Sequence, residues 1–213
     1  LFKGLAMERL ETEWPVHPVL KLSLATYCPL NGGNLEVILD NQFQYWERKY
    51  GIECRTTNLS IRFGDIIMAA YNLTGMSVVI LVDEYDNPII ESMHDPDISK
   101  AHQSLLRSIY INTKDLDQYI RFTMMTGVSR FSTTTAFSGL NNLQDISFYD
   151  DYAAICGITE NEITENFQQG IERLTKEYDT DYGGAVDLLK AYYDGYHFTE
   201  ESPNIYNPFS LLN

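Results

Sequence analysis

Three carboxylates, Asp83, Glu84 and Asp86, fall within four positions directly behind the apolar run Val78-Val79-Ile80-Leu81-Val82. An Asp followed at once by a Glu at a strand end suits nucleotide hydrolysis: the Asp orients a hydrated magnesium ion, and the Glu polarises the attacking water. Arg130 offers the complementary sign behind a second apolar run, Tyr119-Ile120-Arg121-Phe122-Thr123-Met124-Met125-Thr126. A guanidinium there can reach a terminal phosphate and stabilise charge that develops during transfer. One acidic and one cationic strand end, side by side, would frame a metal-bound triphosphate. The plainer reading is a buried strand entering an acidic turn, with Asp86-Asn87-Pro88 as ordinary turn chemistry and Arg130 as a surface ion-pair partner.

These groups need elements to carry them. The run ending at Val82 is too short for a membrane span and lacks helical spacing, so it reads as a strand buried on both faces, as in a parallel sheet. Its carboxyl end is where α/β proteins place their chemistry. Upstream, residues 1–14 have a helical pattern closed by Pro15 and Pro18, and Val19 to Leu24 reads as a strand. Leu35, Ile38, Leu39, Phe43, Trp46 and Tyr50 share one helical face before Gly51; Leu59, Phe63, Ile66, Ile67, Ala70 and Tyr71 share another before Gly75. Residues 95–99 read as a turn-rich break, followed by a helix through Leu105, Leu106, Ile109 and Tyr110. Strands alternating with helices predict βαβ units and a parallel sheet. Beyond residue 151 the pattern turns helical: Thr159 and Glu162 spell a capping box for a helix through Ile163, Phe167, Ile171 and Leu174, and Val186, Leu188 and Leu189 mark a further helix before Gly195. The expected division is an α/β core over 1–151 and a small helical lobe over 152–213.

Bulk composition excludes several classes. A chain of 213 residues with 44% hydrophobic content can bury a full core. Thirty acidic against 15 basic side chains give a formal charge of -15, and no basic run offers a phosphate-tracking patch, so direct nucleic-acid binding is disfavoured. Cys28, Cys54 and Cys156, odd in number and widely spaced, suit neither a disulfide framework nor a zinc site. A reduced, cytoplasmic setting is expected, with each cysteine a small core residue. No apolar span of membrane length is present. The chain opens on Leu1 and stops just after Tyr206-Asn207-Pro208-Phe209-Ser210-Leu211-Leu212, the start of a capped helix, so a piece of a longer protein is expected.

Four segments in order, Val79 to Pro88, Thr126-Gly127-Val128-Ser129-Arg130-Phe131-Ser132, Phe137 to Ile146 and Tyr193-Asp194-Gly195-Tyr196-His197-Phe198, resemble the AAA-ATPase-like proteins common in gut anaerobes. The resemblance covers essentially the whole chain. It implies a P-loop NTPase-like parallel sheet in which the first segment is the Walker B strand and the second the sensor strand. It also implies ATP and Mg2+, with Asp83 as the metal-side carboxylate, Glu84 as the water-polarising one and Arg130 as the phosphate sensor. Thr126 and Ser129 then stand beside Asp83 on the nucleotide side. A C-terminal nuclease-like domain of the PD-(D/E)xK type is the implied partner in the parent protein, and a homo-oligomer is compatible with the resemblance. One departure stands out. The family's phosphate-binding loop, Gly-x-x-x-x-Gly-Lys-Ser/Thr, has no match in these 213 residues, so it and the first strand of the sheet would lie before Leu1. The leading expectation is an ATPase-type module whose parent hydrolyses ATP; the alternative is a non-catalytic regulatory or interaction module with a degenerate nucleotide site.

Other groups carry less. Glu47-Arg48-Lys49, with Asp40 upstream, spells half a nuclease motif but lies on a helix, where Glu and Lys cannot face one metal as they do on a strand; it reads as a solvated face. His17, His94, His102 and His197 are scattered, and the aromatic cluster Tyr192, Tyr193, Tyr196, His197 and Phe198 reads as packing rather than base stacking.

Overall fold

The computed structural model describes residues 3–28, 33–129, 140–197 and 202–212. The chain separates into two compact units, Leu1–Gln144 and Asp145–Asn213. In the first, α1 (Ala6–Leu10) precedes β1 (Val19–Ser23), α2 (Leu35–Tyr50), α3 (Leu59–Thr74) and β2 (Val78–Asp83). Then come α4 (Asn87–Glu91), α5 (Pro96–Tyr110), α6 (Asn112–Asp115) and β3 (Ile120–Met125). The three strands form one parallel sheet in the order β1-β2-β3, so the acidic strand is central.

The two long helices form where periodicity places them, because their ends are chemically closed. The Asn34 side chain accepts the Glu36 and Val37 amides at the start of α2, and Asn58 accepts the Ile61 amide at the start of α3. At the other end Gly51 and Gly75 stand at φ 69° and 68°, the left-handed cap that costs glycine least. Their apolar stripes meet the sheet in a core of Leu20, Leu22, Phe43, Phe63, Ile66, Ile67, Ile80 and Val82. Each such side chain contributes ~1.5–3 kcal/mol by leaving water.

Several sequence expectations need correction. The run behind Asp83 is sealed on one face only: Val78, Ile80 and Val82 are buried, whereas Val79 and Leu81 are half-buried. The neighbours share this open side, where Val19 and Phe122 are exposed. The first helix shrinks to five residues because none of them is buried to hold it. Residues 95–99 are no break: Asp95 accepts the Asp97 and Ile98 amides, Pro96 opens α5, and the helix runs on. Cys54 and Cys156 are exposed and Cys28 is half-buried, so none is a core residue.

Glu47 is the largest correction. It is buried, not solvated, and receives Arg62 Nε at 2.7 Å and Nη2 at 2.9 Å, while Arg62 Nη1 reaches Asp40. The guanidinium also lies over the Phe43 ring at 5.8 Å. Hydrogen bonding from Glu47 holds the Arg62 pKa above its ordinary value against the opposing effect of burial, with Asp40 adding to the rise. Periodicity cannot reveal such a pair, because both residues sit where a charged helix face is expected.

The second unit contains β4 (Ile158–Thr159), α7 (Glu160–Asn166), α8 (Gln168–Glu177), α9 (Tyr182–Tyr193), β5 (Asp194–Tyr196), β6 (Ile205–Tyr206) and α10 (Pro208–Leu212). The helix expected through Leu174 is two, broken at Phe167. Ile163, Ile171, Ala185 and Tyr206 form its core. A small antiparallel sheet in the order β4-β6-β5 accompanies the helices; strands of two or three residues are too short to show an alternation. The capping box forms as the sequence indicates, Thr159 and Glu162 exchanging bonds at the start of α7.

Two outcomes follow from these charges. Arg62→Ala leaves Glu47 buried and unpaired and should cost ~3–5 kcal/mol in urea unfolding. The Thr159 backbone amide, then its hydroxyl, hold the Glu162 pKa below its ordinary value. This group therefore stabilises α7 above the unfolded-state pKa, and the contribution is lost as pH falls through the lowered folded-state pKa. A carboxyl NMR titration of Glu162 should give a midpoint below that of a free glutamate.

Candidate functional site

The site is built from the carboxyl ends of three adjacent parallel strands. Ser23 pairs in register with Asp83, and Val82 with Met125, so the chain leaves all three strands at one edge. Asp83 lies on the open side of β2, its side chain 46% exposed. The Thr126 hydroxyl donates to Asp83 Oδ1 at 3.0 Å, and Lys21 Nζ of β1 stands 3.9 Å from Oδ2. Both partners of the lysine contact are largely solvated, which leaves it worth ~0–1 kcal/mol.

Glu84 follows with φ 53°, the left-handed region, in which a residue with a Cβ is strained. It is half-buried. Its neighbours hold the conformation: the Tyr85 amide donates to the Thr126 carbonyl at 2.9 Å, and the Asn87 amide donates back to the Glu84 carbonyl at 3.1 Å. The turn Tyr85-Asp86-Asn87 does more than reverse the chain. The Asn87 side-chain amide donates to the carbonyls of Leu24 and Tyr27 at 3.0 and 3.1 Å, tying down the exit of β1. On the opposite flank the buried Asp86 accepts the Val128 amide at 3.2 Å and both the amide and the hydroxyl of Ser129. The Tyr85 hydroxyl donates to the Ser129 carbonyl.

Reading Asp86-Asn87-Pro88 as a plain turn therefore understates it. The triplet staples the exits of β1 and β3 to that of β2, and Pro88 lies in the first turn of α4. Gly127 makes the close approach feasible: a Cβ there would stand 2.4 Å from Asp86 Oδ1 and 2.7 Å from Tyr85 Cε1. Behind the staple the Tyr110 hydroxyl donates to the Tyr85 carbonyl at 3.3 Å. Burial, reinforced by the nearby Asp86 and to a lesser extent Tyr85, pushes the Tyr110 phenol well above its ordinary pKa and keeps it a donor.

The structure thus brings Asp83, Glu84, Thr126 and Ser129 to one strand-exit edge. Arg130 lies outside the described residues. Asp86, Asn87 and Lys21 are additions. A carboxylate in a turn looks the same in sequence whether it bonds its own loop or reaches across to another strand, and only the presence of two chemistry-bearing strand ends could have drawn attention to it.

The model of a family described as "Predicted AAA-ATPase" matches residues 1–137. The chain belongs to this AAA-ATPase-like family. Its parallel sheet with flanking helices, followed by a C-terminal helical region, is a P-loop NTPase-like arrangement. The chain is also 37% identical, over all 213 of its residues, to a protein of Azotobacter chroococcum mcd 1 described as an uncharacterized protein in the vnfD 5′ region. It spans 39% of that relative's length. No solved structure matches it significantly. No described helix is long and apolar enough to cross a membrane.

Magnesium takes hard oxygen donors, one or two carboxylates completed by water and substrate phosphates. At this edge the Asp83 carboxylate and the Thr126 hydroxyl, 3.0 Å apart, are oxygens of that hard type. No cluster of three or more His, Cys, Asp or Glu side chains suited to a metal occurs among the described residues, so an ion at this edge would draw much of its shell from phosphate and water.

The strain at position 84 is testable without nucleotide. Glu84→Gly should raise the stability of this chain by up to ~1 kcal/mol, read as a higher urea midpoint, because glycine adopts φ 53° without cost.

Proposed function

We propose that this chain is the nucleotide-site core of an ATPase module in a longer protein, acting on ATP with Mg2+. Membership of the AAA-ATPase-like family supports the class. The observation that carries the site assignment is the pairing of β2 and β3: Asp83 and Thr126, on adjacent parallel strand ends, meet at 3.0 Å beside Glu84.

In this reading Glu84 orients and polarises the attacking water. Its backbone, fixed by the bonds of the Tyr85 and Asn87 amides, sets the point and direction from which its side chain leaves the chain. Asp83, with one oxygen oriented by Thr126, is the carboxylate that holds Mg2+, which when bound neutralises phosphate charge. Ser129 and Thr126 line the phosphate side, and Arg130 senses the terminal phosphate. The phosphate-binding loop belongs to a further segment of the longer protein, and its strand would pair with an outer edge of the sheet, at β1 or β3, neither of which a further described strand occupies. In the same reading the longer protein carries a C-terminal PD-(D/E)xK nuclease-like domain.

The lack of a Gly-x-x-x-x-Gly-Lys-Ser/Thr loop in these 213 residues favours a second reading, a non-catalytic docking module. Calorimetry with ATP and magnesium on this chain and on the full-length protein separates the two: heat from the longer protein supports the ATPase, and silence from both supports the docking module. In the full-length protein Glu84→Gln should lower turnover by ~10²–10⁴-fold while sparing ATP binding. Unchanged turnover excludes Glu84 as the water-polarising group.

A further inference from the structure

We propose that Asp86 is a positioning residue for ATP hydrolysis: its buried carboxylate fixes the chain leaving β3 against the turn leaving β2, and so sets the spacing between Glu84 and the phosphate-side groups. This role rests on the ATPase reading. A carboxylate only 1% exposed is expensive to desolvate and is kept only where donors satisfy it. Here the donors are the amides of Val128 and Ser129 and the Ser129 hydroxyl, 42 and 43 positions away in the chain. An aspartate that merely closes a turn bonds its own backbone two residues on. Asp86 instead bonds the segment that leaves β3.

Nor is the clamp a by-product of core packing. Val128 is 86% exposed, so the segment it belongs to gains little from apolar burial. Residues 128–129 are instead held at both amides by Asp86 and at the Ser129 carbonyl by the Tyr85 hydroxyl. Tyr85 is itself anchored from behind by Tyr110. The backbone bond from the Tyr85 amide to Thr126 links this clamp to the residue immediately after Glu84. Misplacement of about 1 Å between reacting groups can cost ~10²-fold in rate, so loosening this joint should act on the chemical step more than on binding.

Asp86→Asn preserves size but turns an NH2 toward groups that are already donors. Tyr85→Phe removes one hydroxyl from a buried ring and keeps the packing, so it serves if the first variant folds poorly. In the full-length protein Asp86→Asn should lower kcat by about 10²-fold with KM for ATP–magnesium within about twofold. Tyr85→Phe should move kcat the same way by less, and hydrogen exchange should quicken at the Val128 and Ser129 amides in Asp86→Asn. Unchanged exchange at those amides overturns the clamp. Unchanged kcat in both variants, or a rise in KM alone, overturns the positioning role while leaving the ATPase reading intact. Absence of ATP turnover in the unsubstituted protein overturns both.

Discussion

A buried carboxylate must be answered by donors, and in this fold the donors for Asp86 come from the segment that leaves the neighbouring strand β3. That constraint organises the strand-exit edge. Val128 and Ser129 are drawn toward β2, Gly127 must lack a side chain to let them pass, and Tyr85 turns its ring so that its hydroxyl meets the Ser129 carbonyl. Asn87 performs the same service toward β1 through neutral bonds to Leu24 and Tyr27. The acidic pair lies at the end of this joint, Asp83 on the open side of the sheet and Glu84 half-buried.

A second buried charge works differently. Arg62 and Glu47 neutralise each other between α2 and α3, close to the stacked rings of Phe43 and Phe63. Replacing such a pair by well-packed apolar residues is often neutral or stabilising, whereas removing one partner leaves the other charge buried and unanswered. One charged pair thus joins two helices, and the other buried carboxylate joins the segments leaving two strands.

The long elements were readable because amphipathic stripes, asparagine caps and C-terminal glycines agreed at 35–50 and 59–74, and because β-branched residues marked the central strand. The parallel order followed from strands alternating with helices. What the sequence concealed was pairing across distance. Glu47 reads as a surface residue until Arg62 is placed opposite it, and Asp86 reads as a turn former until Ser129 arrives from another strand. The antiparallel sheet of the second unit was hidden for a simpler reason, since two-residue strands leave no period to detect. At the candidate site, residue types drew attention to Asp83 and Glu84, whereas the left-handed backbone of Glu84 had no glycine to announce it.

The strand order also dictates when the edge can exist. Its parts span residues 19 to 129, and each neighbouring pair of strands is joined by a long helical crossover. During synthesis, β2 emerges with its acidic end unsupported, and Asp86 stays hydrated until Ser129 has cleared the ribosome. Burial of this one carboxylate therefore waits on the pairing of β3 with β2.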